Sequence, residues 1–549
     1  MSPDAPLTTA REALEAGDWP RARDGFEAAL ADEESPEALA GLGTALWWLQ
    51  EADRSLELRE RAYAAYRRRD QPMEAALIAL GLVPSYGASL GNIAAAQGWV
   101  NRAARLVDEA GLAPLRGWVA LCRAAVTGES GDPWRAEVLA REAIDAARQD
   151  GDADLELCAM SELGAQLVTL GRIAEGVALL DEAMAGALGG EGRRPETAVY
   201  TSCKTITVCT VAAELKRAAQ WIRAADRFNR GVGATHLYVL CRTHHGAMLM
   251  GLGRWEEADA ELATAIEATR TAEPAVHAHA VAQLAELRLA QGRVDAAARL
   301  LDGLEEHPVA THALASVRLA RGESGAATTL LRRRLRALGE ETVGATALVE
   351  LLVAAEVEQG DLAEAGARAQ RLAELGDRRA APLLQARGDR ALGRVRVAAG
   401  EHATAVAPLE AALARFAELE LSLECARTRL LLARALAPAD RDAAVAEGRT
   451  ALAAFETLGA GRDADGAAAF VRELGGRAAR SGPRGIGLLT KRELEVLELL
   501  GEGMSNQEMA DRFVLTRKTV ENHVASVLAK LGLRGRAEAA SYAARHLER

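Results

Sequence analysis

One spacing pattern recurs through most of this chain and limits what it can fold into. A small residue is followed four or five positions on by another small one. An apolar residue comes three or four positions later, and Ala or Leu three after that. The pattern is sharpest at Gly253, Ala258, Leu262, Ala265 and at Gly400, Ala405, Leu409, Ala412. It returns at Gly171, Gly176, Leu180, Ala183 and at Gly292, Ala297, Leu301, Leu304. Looser copies start at Gly17, Gly91, Gly131, Gly322 and Gly360, and degenerate ones at Gln50, Ala213 and Ala439. Successive starts lie 30 to 42 residues apart, most of them within two of forty. A period of this size marks a supersecondary unit that buries its apolar face only against its neighbours.

The residue types explain the unit. Glycine ends one helix in the left-handed conformation without a Cβ clash. In the following helix, offsets of four and three place Ala258, Leu262 and Ala265 on one face. The alanine allows two antiparallel helices to approach, and the leucine fills the groove between them. Leu-Gly pairs such as Leu163-Gly164 and Leu392-Gly393 lie on the partner helix. Composition agrees: Ala, Leu, Arg and Glu dominate, and alternating Val/Ile/Thr runs are almost absent. These positions resemble the tetratricopeptide repeat over residues 5–475, although that family's period is about thirty-four residues. The resemblance implies a divergent array of about two dozen helices, a solenoid with a concave face. The expected fold is all-α, a tetratricopeptide-like helical solenoid followed by a C-terminal four-helix module.

That module begins after Gly/Pro/Arg-rich GGRAARSGPRG, which has no apolar periodicity and reads as a linker. The expected division is a repeat domain over 1–475, a linker over 476–485 and a terminal domain over 486–549. Thr490 to Glu493 reads as a capping box, opening a helix that turns Leu494, Leu497 and Leu500 inward before Gly501 and Gly503 stop it. Ser505 to Glu508 reads as a second, opening a helix that packs Met509, Ala510 and Phe513. Thr516 can cap a third helix with Val520, Val524, Val527, Leu528 and Leu531 buried, ended by Gly532. A fourth follows from about Arg536. The opposite face of the third helix carries Arg517, Lys518, Glu521, Asn522 and Ala525. Cations at the helix start, polar groups at one-turn spacing and small side chains suit a helix laid in a major groove.

Leu489–Glu493, Gly503–Ala510, Lys518–Val524 and Lys530–Gly532 together resemble the LuxR-type helix-turn-helix. The resemblance implies a regulator of transcription that binds double-stranded promoter DNA as a homodimer. Carried over, Lys518, Thr519 and His523 would meet or support contacts to phosphates, alongside Arg517. Glu521, Asn522 and Ala525 would face base edges, and Lys530 would reach the backbone. Gly535 and Ala537 stand where the family often has Ser or Asn and Thr, which weakens the fourth helix's cap and the dimer contact made through it.

Charge is placed accordingly. The chain carries −12 overall, but from Arg484 onward eleven Lys/Arg face nine Asp/Glu, so the rest holds a surplus of 14 negative charges. Such a body repels nucleic acid, which assigns DNA to the C-terminal end. Six scattered cysteines without CxxC spacing read as reduced thiols of a cytoplasmic protein, and MSPDAPLTTAREAL has no signal-peptide pattern. The charge-free stretch Ala75–Asn101 reads as two buried helical segments joined by a turn, not a membrane span.

Other constellations are weaker. Cys241, His244 and His245 share a helical face, with His236 nearby and Cys203 and Cys209 on the preceding unit, a set open to zinc. His245 also fits a packing position of the repeat, and no metal is expected. Trp47, Trp48, Trp99, Trp118 and Trp134 read either as core or as an apolar ligand pocket. No Gly-x4-Gly-Lys-Ser/Thr loop and no nucleophile elbow occurs, so neither catalysis nor a cofactor is expected. The array is expected to sense a small-molecule or protein effector. The rival reading is a protein-binding scaffold whose DNA module is vestigial.

Overall fold

The computed structural model describes residues 5–49, 51–232, 236–270, 273–476, 489, 491–513 and 515–546. Twenty-five α-helices run from Ala5 to Glu473 and four from Lys491 to His546, with no strand among the described residues. No helix among them is long and apolar enough to cross a membrane. The charge-free stretch lies in two helices, Pro72–Pro84 and Ile93–Glu109, joined through a π-helical segment at Ser85–Ser89.

The repeat pattern maps onto helix pairs. Ten of the twelve starting residues are left-handed, with φ from 61° at Ala213 to 94° at Gly131. Gln50 lies outside the described residues. The turn at Ala439 is closed by Asp440, whose side chain caps the next helix at Ala443. Ala213 alone among the ten holds this conformation with a Cβ, at a steric cost glycine avoids.

Within a pair the predicted contact forms. Ala258, Leu262, Ala265 and Ala405, Leu409, Ala412 are fully buried. Each leucine lies over a glycine of the partner helix. A Cβ at Gly164 would fall 2.8 Å from Leu180 Cγ, and one at Gly246 2.6 Å from Leu262 Cγ. At Gly393 it would fall 2.5 Å from Leu409 Cδ2. The Leu-Gly pairs are therefore holes for the next helix's leucine.

First helices of successive units pack on one another: Ala153–Thr169 on Pro195–Val211, Thr346–Gln359 on Pro382–Ala398, and the latter on Ser422–Leu436. Second helices touch far less, so the array curves with the first helices inside. Being covered on all sides, inner helices are buried around their circumference, as Asp154 to Val168 show.

The curvature closes further than an open concave face. Gly171 abuts Arg379, Gly253 abuts Leu458, Gly292 abuts Arg462, and Lys216 pairs with Glu420 at 2.9 Å. One apolar core unites Ile206, Leu215 and Trp255 with Ala451, Phe455 and Ala464. Residues about two hundred apart, roughly five units, thus meet, and successive superhelical turns rest on each other. The glycines that end inner helices do two things: they supply positive φ and leave room for the next turn of the superhelix.

Candidate nucleic-acid interface

In the C-terminal module the first helix, Lys491–Gly501, buries Val496, Leu497, Leu499 and Leu500. Leu494, expected inside, is only half-buried, because Val496 and Leu499 take the inner positions. At Gly501 a Cβ would lie 2.8 Å from Ala543 Cβ, so the first and fourth helices cross closely there. The fourth, Arg536–His546, contributes Ala539, Tyr542 and Ala543 to the core.

The second helix, Asn506–Phe513, opens on the reciprocal cap expected from its sequence. Ser505 N–H donates to Glu508 Oε2 at 2.6 Å, and Glu508 N–H to Ser505 Oγ at 3.3 Å. The backbone donor holds the Glu508 carboxyl below its ordinary range. Met509 and Ala510 are buried, and Phe513 lies under the Arg492 guanidinium at 3.5 Å.

Thr516 caps the third helix, Arg517–Leu531, by accepting from Thr519 N–H at 3.2 Å, and Gly532 ends it in a left-handed turn. Val520, Val524, Val527 and Leu531 form the buried stripe, with Leu528 at its margin. On the other side Arg517, Lys518, Glu521, Asn522 and Ala525 are exposed, while Thr519 and His523 are half-buried. One side of a short helix is thus locked into a core and the other stands free, with two cations in its first turn. Arg517 Nε donates to Glu521 Oε1 at 3.0 Å. Both partners are solvent-exposed, so this pair contributes under about 1 kcal/mol and separates readily for a ligand. The Thr519 hydroxyl is engaged with Thr516 Oγ1 at 2.8 Å, making it part of the cap.

Lys530 stands apart from this face. Its ammonium lies 2.7 Å from Glu493 Oε2, and Ser526 Oγ donates to Glu493 Oε1 at 2.7 Å. Glu493 is 5% exposed. Lys530, expected at the DNA backbone, thus has an internal partner, and the Glu493 side chain fastens the third helix to the first. Thr490, its expected capping partner, lies outside the described residues. Ser526 and the Arg536–Asn506 hydrogen bond of 2.9 Å are supports that sequence reasoning missed, and Glu493, expected only as a cap partner, takes on a second role. Thirty-seven residues separate Glu493 from Lys530, and no local pattern signals such a pair. At the fourth helix Glu538 accepts from Arg534 N–H at 2.7 Å, which ties the chain entering the helix to its first turn.

Elsewhere, the side chains of His236 and Cys241 lie outside the described residues. His244 is buried edge-on to His279 at 5.0 Å, and burial with that neighbour pushes it down to about 3. His245 lies 3.8 Å from Glu261, and burial pushes the Cys209 thiol up to about 12. Among the described residues no three ligating side chains converge. The tryptophans do not line one pocket. Trp48 stacks on Trp19, Trp99 packs on Tyr63, Trp118 donates to Asp152, and Trp134 is 65% exposed.

Residues 487–543 match the family model of bacterial regulatory proteins, luxR family. The chain is similar to the DNA-binding transcriptional activator DevR/DosR of Mycobacterium tuberculosis, 43% identical over 93 residues, covering 16% of this chain and 42% of that protein. It is 47% identical over 58 residues to the transcriptional regulatory protein LnrK of Bacillus subtilis, covering 11% and 26%. The chain thus spans less than half the length of these relatives. Among solved structures, Cut9–Hcn1 of the APC/C aligns at TM-score 0.37 and 14% identity over 85% of this chain and 96% of its own. A Rap protein complexed with Competence and Sporulation Factor aligns at 0.38 and 15% over 58% and 96%. The C-terminal segment of this chain is a LuxR-family helix-turn-helix, the DNA-binding module of transcription regulators, carried behind a tetratricopeptide-like helical array.

Proposed function

We propose that the chain is a cytoplasmic transcription regulator in which residues 486–549 bind promoter DNA as a homodimer. Residues 1–475 sense a small molecule or protein and control that binding, across the linker 476–485. The observation that carries the DNA reading is the third helix, buried on its valine stripe and free on the face of Lys518, Glu521, Asn522 and Ala525. In the major groove this face reads bases through Glu521, Asn522 and Ala525, while Arg517, Lys518, Thr519 and His523 serve the phosphates. Lys530 acts through Glu493 by holding that helix in place.

The test separates the two kinds of contact on a site selected from random DNA by the full chain. Lys518→Ala is expected to weaken binding to all DNA alike and lower the salt slope by about one unit. Asn522→Ala is expected to cost about 1–3 kcal/mol on the selected site and little on random DNA. Equal losses on both DNAs from both variants would remove the third helix as the reading element. Sedimentation of the complex, showing two chains per site, tests the dimer.

A further inference from the structure

The inner helix Pro382–Ala398 directs Arg387, Arg390 and Arg394, at offsets of three and four, along one face. The next inner helix, Ser422–Leu436, sets Glu424, Arg427 and Arg434 at similar offsets, and Thr346–Gln359 flanks the stripe with Thr346 and Glu350. Most of these charges are matched. Arg390 donates to Glu350 at 2.5 Å, pairs with Glu424 and lies over the Phe416 ring. Arg427 meets Asp463 at 3.0 Å and Glu424 at 3.7 Å. Arg387 donates to Thr346 Oγ1 at 2.8 Å, with Glu350 3.9 Å away.

Arg394 has no such partner among the described residues. Its Nε is buried and makes no hydrogen bond. Its electrostatic neighbours are mostly cations: Arg390, Arg427 and Arg434, against Glu350 alone. Burial, reinforced by Arg390, holds its guanidinium below the ordinary arginine range. Five arginines therefore share the inner face with three carboxylates, in a chain that is otherwise acidic. A half-buried guanidinium whose Nε is cut off from water without a hydrogen bond, among like charges, is unfavourable unless an anion offsets them. Its planar fork matches the two oxygens of a carboxylate or phosphate. Arg427, 39% exposed at its side chain, and exposed Arg434 bring the edge of the stripe to solvent.

We propose that the stripe Arg387–Arg390–Arg394 is a ligand site on the inside of the array and that its ligand is a small-molecule oxyanion, carboxylate or phosphate, held by Arg394. This rests on the sensing role proposed above and gives it a place and a chemistry.

The experiment is calorimetric titration of the full chain with pyrophosphate in one arm and citrate in the other, at constant ionic strength set by chloride. Saturable binding is expected in one arm, which identifies the anion. Arg394→Gln weakens it about tenfold or more, and Arg394→Lys, which keeps the charge and loses the fork, falls between. Arg396→Gln removes the same charge from the same helix, at a guanidinium that donates to Thr404 O, and leaves binding unchanged. No binding in either arm, or equal binding by the Arg394 variants and the native chain, overturns the site. DNA affinity read in the same samples distinguishes the two proposals. Arg394-dependent anion binding without a change in DNA affinity supports the site and removes the sensing role. An anion effect on DNA affinity that Arg394→Gln leaves intact overturns the site and keeps that role.

Discussion

Substituting Gly393 by alanine tests the repeat unit at the tightest of its three glycine–leucine contacts described above. In an open helical position this change is stabilising by up to about 1 kcal/mol, since alanine has the higher helix propensity. Gly466, in the helix Gly461–Glu473, supplies that reference, because a Cβ added there would meet nothing within 4 Å. At Gly393 the new methyl would fall 2.5 Å from Leu409 Cδ2, and Leu409 is fully buried. Overpacking of this kind costs about 1–3 kcal/mol. The propensity gain offsets part of it, leaving a net loss of up to about 2 kcal/mol. Leu409→Ala alone should cost about 2–5 kcal/mol. In the double variant the methyl enters space the leucine has left, so the two losses couple favourably by about 0.5–3 kcal/mol. An array can open unit by unit, so hydrogen exchange across Pro382–Ala398 and His402–Glu418 should accompany urea unfolding. Gly393→Ala stabilising as much as Gly466→Ala, or a cycle that adds within about 0.5 kcal/mol, would refute the glycine-hole reading.

Three further outcomes are expected. Glu493→Gln removes the carboxylate that holds Lys530 and Ser526. With Lys530 part-exposed, the loss should be about 1–2 kcal/mol in the module's unfolding, with weaker DNA binding in a gel shift; unchanged stability would show the fastening to be idle. His244 is depressed in the folded chain to about 3, so the unfolded chain takes up its proton first. Its contribution to stability is intact above the ordinary histidine value of 6.5 and is lost as pH falls from there toward 3, at up to about 1.4 kcal/mol per unit. His244→Leu should flatten that part of the pH–stability curve, and an unaltered slope would contradict the buried neutral imidazole. Gly535→Ser should stabilise the module by no more than a few tenths of a kcal/mol, because glycine is itself a tolerated residue at the cap position of the helix Arg536–His546. A gain above about 1 kcal/mol would show that cap to be open.

The features legible before folding are those a dozen neighbouring residues can encode. Left-handed glycines at fixed spacing, the Ala–Leu–Ala face of each second helix, the Ser505–Glu508 box and the Thr516 cap depend on backbone handedness and on offsets of three and four. The exposed row on the third helix was legible for the same reason, since its valine stripe settles which face is left over. The first helix was read less well: Leu494, Leu497 and Leu500 fit the periodicity, but Val496 and Leu499 fit it as well, and packing chose between them. Which distant segments meet depends on how the helix pairs pack. Glu493 finds Lys530, Gly171 finds Arg379, and the array winds until its turns touch, because small angles between successive helix pairs accumulate over many units. The arginine stripe shows the same limit. The spacing of Arg387, Arg390 and Arg394 carries no sign of their surroundings, and curvature turns their face inward, where the Arg394 Nε is buried without a hydrogen bond.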